Sequence, residues 1–164
     1  MMYIIQYVTS IVMIFFSGFA TWYEGSELRD KPWEWGYSAV FSKIINGKVM
    51  VEKDILSLDH FIYAAKFKPM YPLIFTISLL YLAILIAWTL LRFNKKIMVT
   101  FHMGLGVGLL MLSLLIYRSP SMGLELFTVL FLITGISNVF TANLLRMKFT
   151  KYHKSSGINC DLIL

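Results

Sequence analysis

Arg92-Phe93-Asn94-Lys95-Lys96 is a short basic turn between two apolar runs, Tyr71 to Leu91 and Ile97 to Tyr117, each 21 residues long. At a helical rise of about 1.5 Å per residue, each run reaches roughly 30 Å, the thickness of a bilayer's hydrocarbon core. The stretch therefore reads as the bend of a membrane hairpin. Three cations in so short a connection mark the cytoplasmic side, because loops of this length follow the positive-inside bias. Working outward, Tyr3 to Trp22 supplies an earlier span and Met122 to Leu145 a later one, giving four spans at about 3–22, 71–91, 97–117 and 122–145. The segment 24–70 then lies outside as a loop, both termini lie in the cytoplasm, and 146–164 forms a cytoplasmic tail.

The composition agrees with this threading. With 58% hydrophobic residues, 16% aromatics and a mean hydropathy of +0.70, a 164-residue chain is too apolar for a soluble globule of its size. A net charge of +6 would suggest nucleic acid in a soluble protein, but the charges separate by segment. The segment from Glu24 to Met70 holds seven cations and seven anions. The excess sits in the turn after Leu91 and in the tail, where Arg146, Lys148, Lys151 and Lys154 outnumber Asp161. Membrane topology and attraction to anionic head groups account for it, so the expected partner is the lipid bilayer and not nucleic acid. Cys160, the single cysteine, excludes an internal disulfide, and as fifth residue from the end it is not a prenylation site.

The first apolar run admits a competing reading as a cleaved signal peptide, since Gly18 and Ala20 have suitable spacing. The missing basic n-region and the length of the run favour a retained span. The outer loop is expected to fold as a small cap. Tyr37–Ile45 and Lys48–Lys53, rich in β-branched and aromatic residues, flank Asn46-Gly47 and predict a β-hairpin. Beyond it, Leu58, Phe61, Ile62 and Ala65 recur at helical spacing after Ser57 and predict a short amphipathic helix along the membrane. The fold class is thus an all-α membrane protein of four helices, with an extracytoplasmic cap of a β-hairpin and a short helix between the first two.

Residues able to carry chemistry are few. His102 is the titratable group well inside a span, and intramembrane ionisable residues are functional suspects. A neutral imidazole bonding across helices is the simpler reading. Gly104 and Gly108 form a small-xxx-small pair predicted to let a neighbouring helix approach, internally or in a homo-oligomer, near Asn138 on the fourth span. In the loop, Trp33, Trp35 and His60 are candidate interaction residues. The carboxylates there show no spacing that demands a catalytic pair, and no metal-ligand or cofactor motif occurs.

Trp22-Tyr-Glu-Gly-Ser, Pro32-Trp-Glu-Trp and Tyr63-Ala-Ala-Lys-Phe-Lys-Pro69 resemble the YjdJ-type family of small membrane proteins of Gram-positive bacteria, over about the first half of the chain. The resemblance implies a bacterial plasma membrane and no particular chemistry. The layout of one span, an outer loop and three more spans is also similar to that of claudin-like proteins, without their loop cysteine pair. The sequence therefore points to a non-enzymatic interaction or accessory protein acting through its outer loop on a membrane or envelope partner. A small transporter or channel subunit, or an enzyme with its site in that loop, are the alternatives.

Overall fold

The structure, a computed structural model, describes residues 2–119 and 121–155. Pro120 of the outer turn and the tail beyond Ser155, with Cys160, lie outside the described residues. The helices are α1 (Met2–Gly25), α2 (Trp35–Ser38), α3 (Val40–Asn46), α4 (Ser57–Phe67), α5 (Met70–Leu91), α6 (Lys95–Ile116) and α7 (Met122–Ser155). Three single 3₁₀ turns fill Ser26–Asp30, Pro32–Glu34 and Glu52–Asp54. Among the described residues, four helices, α1, α5, α6 and α7, are long and apolar enough to cross a membrane. The chain divides into two compact units. One runs to Ala83 and takes in Ser119–Phe127; the other holds Ile84–Arg118 and the chain from Thr128 on.

The basic turn that orients the sequence is shorter than its five residues suggest. Asn94 closes it by donating its backbone N–H to Leu91 at 2.9 Å, and then caps α6 by accepting from the N–H of Ile97 at 3.3 Å. Lys95 and Lys96 thus fall in the first turn of α6, where the helix dipole favours anions. Helix energetics do not explain cations there.

In lipid there is no hydrophobic gain from burying one apolar helix against another, so close contact selects small and hydroxyl-bearing residues. Helix α1 follows this rule: its buried positions are Ser10, Ser17, Thr21 and Gly25. Ser10 and Thr21 donate their hydroxyls to the carbonyls four residues back, at 2.8 and 2.6 Å, so neither needs a partner on another helix.

The β-hairpin expected around Asn46-Gly47 is not formed; no described residue is in a strand. Gly47 does adopt a positive φ of 75°, but it ends a helix instead of turning a hairpin, its N–H reaching the Lys43 carbonyl at 3.0 Å. The physical reason is periodicity. Val40, Phe41, Ile44 and Ile45 share one face of a helix and Ser42 occupies the other, whereas a strand needs strict alternation. The expected short helix is present as α4, with Ser57 as its first residue and Leu56 at the cap position.

Candidate functional site

The cap, residues 26–69, is built on α4. Its buried face carries Asp59, His60, Tyr63 and Ala64, not the apolar set Leu58, Phe61, Ile62 and Ala65 that marks its periodicity. The polar side of this amphipathic helix therefore faces the protein. Asp59 is fully buried and accepts the backbone N–H groups of Phe41 at 2.8 Å and Ser42 at 2.9 Å, together with the Ser42 hydroxyl. The cap position of α3 is Ala39, which has no side chain able to cap it, so Asp59 supplies the cap, reaching Phe41 from 18 residues away. The Ser42 hydroxyl also accepts from Leu56 N–H at 2.8 Å, tying the entry of α4 to α3. Nearby, Asp54 accepts from Met50 and Val51 N–H at 3.0 and 3.2 Å and so orders the loop after Gly47.

Two glycines pin α4 at both ends. A Cβ at Gly25, the last residue of α1, would lie 2.0 Å from the His60 carbonyl oxygen. A Cβ at Gly123, early in α7, would lie 2.1 Å from the Ala65 carbonyl oxygen. Only glycine permits these backbone approaches. Beneath α4 lies a small apolar core of Leu28, Ile55 and Tyr63, against which Trp35 and Val49 pack. Trp35 donates its indole N–H to the Leu28 carbonyl at 2.9 Å.

An ion cluster closes the cap. Glu27 accepts Lys31 and Lys68, each at 2.8 Å, and Lys31 also donates to the Tyr63 hydroxyl at 2.8 Å. Hydrogen bonds from Lys31 and Lys68 hold the Glu27 carboxyl below its ordinary value, and the same bonds to Glu27 hold both ammonium groups above theirs. These side chains are about one-third exposed or more, so solvent screens the cluster and its contribution is modest. Lys66 is different: burial pushes its pKa down, partly offset by Glu34, and its ammonium reaches the Tyr37 carbonyl at 2.6 Å.

The structure separates the three candidate interaction residues. Trp33 is 68% exposed, Trp35 belongs to the cap's core, and His60 has no exposed surface. The His60 ring is tilted on that of Trp22 with centroids 6.0 Å apart, and neither nitrogen makes a hydrogen bond of good geometry. Burial pushes its pKa down, as does the charge of Arg29, while Asp59 and the Trp22 backbone pull weakly the other way.

In the second unit, His102 and Asn138 are brought together, both buried, with Nδ1 and Oδ1 2.8 Å apart. The Asn138 amide donates to the Thr134 carbonyl at 2.8 Å, which orients its oxygen toward the imidazole and assigns the proton to Nδ1. Nε2 is left as a buried acceptor with no partner. Gly104 and Gly108 are exposed, and a Cβ at either would meet nothing within 4 Å. The close approach runs through Gly106, whose Cβ would lie 2.9 Å from the Gly135 carbonyl. The signal was available: Gly106 is one helical turn from His102, whereas Gly104 is about 200° around the helix from it. Asp59, Gly25 and Gly123 carried no local signal, because each acts on a segment remote in sequence.

Among the described residues, no group of three or more His, Cys, Asp or Glu side chains is placed to hold a metal. Four apolar helices with a helical cap between the first two suggest a multi-pass membrane protein. Residues 4–91 match a protein family described as a domain of unknown function, DUF4306. The chain is also 39% identical over 95 residues to the uncharacterized protein YjdJ of Bacillus subtilis (strain 168), an alignment covering 57% of this chain and 85% of that protein. The chain belongs to this family. No solved structure matches it.

Proposed function

We propose that this chain is an integral membrane protein with its cap outside and both termini in the cytoplasm, and that it serves as a non-enzymatic accessory protein whose cap contacts a membrane or envelope component. The observation that carries the reading is what the cap keeps and what it presents. Asp59, Asp54, Glu27 and His60 are committed to capping, clamping or burial, while Trp33, Tyr37 and Ile44 are each more than two-thirds exposed. A catalytic surface needs free, convergent titratable groups; a binding surface needs exposed aromatic and apolar ones. The family match from 4 to 91 takes in α1, the cap and α5, so the cap lies within the shared region. Against a transport path, the hydroxyls and amides of Thr134, Ser137, Thr141 and Asn143 bond to carbonyls of their own helix.

Reporter fusions test the threading: an extracytoplasmic signal is expected at Asn46 and a cytoplasmic one at Lys148, and a cytoplasmic signal at Asn46 ends the reading. Complementation of a deletion phenotype tests the surface. Trp33→Ala with Tyr37→Ala is expected to abolish it, while Glu24→Ala and Glu34→Ala leave it intact. The reverse pattern places a catalytic site in the cap.

A further inference from the structure

Helix α3 has its polarity turned inside out. Its buried residue is Ser42, held by Asp59, while Val40, Phe41, Ile44 and Ile45 form an apolar stripe at helical spacing that is 40–74% exposed. Met50, just past the Gly47 bend, extends the exposed apolar surface at 74%. A water-facing cap would show the opposite arrangement, since polar α3 contacts are inside and methyl groups outside.

Three observations identify what covers the stripe. The cap is tethered at both ends to apolar helices, leaving α1 at Gly25 and entering α5 at Met70, and α4 is pressed onto the last residue of α1 through the Gly25–His60 approach. It therefore stays within reach of the level at which those helices end. That level carries the marks of an interface: Trp22 and Tyr23 at the end of α1 are exposed. Finally, Lys48, just past the Gly47 bend, is exposed, and a lysine stem there can lie along apolar surface with its charge among anionic head groups, while Lys43, also exposed, gives its ammonium to the Gly36 carbonyl of the cap. We infer that α3 is an interfacial anchor whose Val40, Phe41, Ile44 and Ile45 face is embedded in the outer leaflet of the protein's own membrane, laid there by the Asp59 cap on its polar side. This rests on the membrane reading above and names lipid as the component this face contacts.

The test uses the full-length chain in vesicles of phosphatidylglycerol and phosphatidylethanolamine, with Cys160→Ser and one spin-labelled cysteine at a time. Ile44→Cys and Ile45→Cys probe the stripe, Glu52→Cys a cap position off it, and Leu79→Cys an exposed site on α5. Labels at 44 and 45 are expected to collide several-fold more with oxygen than with a water-soluble nickel chelate, as at 79, and the label at 52 the reverse. If 79 shows the lipid signature while 44 and 45 are open to the chelate, the anchor is wrong and the membrane reading stands. If 44 and 45 are closed to both reagents, protein covers the stripe and the anchor is wrong. If 79 itself is open to the chelate, both readings fall.

Discussion

The cap and the α6–α7 pair are held by opposite means. In the cap, helices of four to eleven residues leave a large share of their backbone N–H and C=O groups without intrahelical partners, and side chains remote in sequence supply them, Asp59 to α3 and Lys66 to Tyr37. Helices α6 and α7, of 22 and 34 residues, largely satisfy their own backbones and meet through Gly106 against Gly135, with the imidazole–amide bond of His102 and Asn138 and a bond from the Ser113 hydroxyl to the Thr128 carbonyl at 3.0 Å. The difference teaches where stability is concentrated. A single brace in the cap orders several segments at once, whereas a single polar contact between long helices adds to an arrangement that exists without it.

The sharpest way to break this comparison is at Gly25. Alanine there places a methyl group 2.0 Å from a backbone carbonyl, which cannot rotate aside as a side chain can. A loss of about 3 kcal/mol, the upper end of overpacking costs, is expected for Gly25→Ala. Gly36→Ala, at an exposed position with nothing within 4 Å, should stay within about 0.5 kcal/mol of the parent. Thermal solubility in detergent measures both, and equal midpoints would show that the clamp on α4 does not hold the cap.

A smaller effect is expected from acid. Burial lowers the His60 pKa, so between the ordinary histidine value of 6.5 and its folded value the unfolded chain binds the extra proton and the folded one does not. Stability is therefore full above about pH 6.5 and falls as the pH drops through that window. Glu27, whose pKa is lowered from 4.5, loses its contribution only below that value, so the two windows are distinct. His60→Gln, which does not titrate, should reduce the fall in midpoint between about pH 7 and pH 5. An unchanged fall would place the responsible group elsewhere.

How much of this was legible follows from the same physics. The four long helices were readable because lipid imposes a length and an apolar composition that no other solvent demands. The cap was misread at Asn46-Gly47 because the dipeptide signals only a positive φ, which a hairpin turn and a helix end both use. What separated them was the 40, 41, 44, 45 spacing, and its meaning was masked by a stripe that points out of the protein. His102 and Asn138 stood out in the sequence by cost alone, since polar groups in lipid seek partners, but nothing local paired the one with the other at 2.8 Å. The glycine beside them required phase as well as composition: of Gly104, Gly106 and Gly108, only Gly106 shares the buried face of Met98, His102, Leu109 and Ser113.

The smallest expected effect sharpens the comparison from the other side. If the His102–Asn138 bond merely adds to packing already fixed by Gly106, removing it should cost far less than any cap brace. Measured couplings of this kind in membrane helices average about 0.6 kcal/mol and reach about 1.7, because the separated helices also find polar partners. A double-mutant cycle of His102→Phe, Asn138→Leu and the pair isolates the term, since each single change leaves the other polar group buried and unpaired. The coupling should fall near 0.6 kcal/mol, and the double variant should be no worse than the poorer single one, because removing both groups leaves neither orphaned. A coupling above about 3 kcal/mol would make this pair as consequential as the Gly25 clamp, and the contrast between a braced cap and self-sufficient helices would no longer hold.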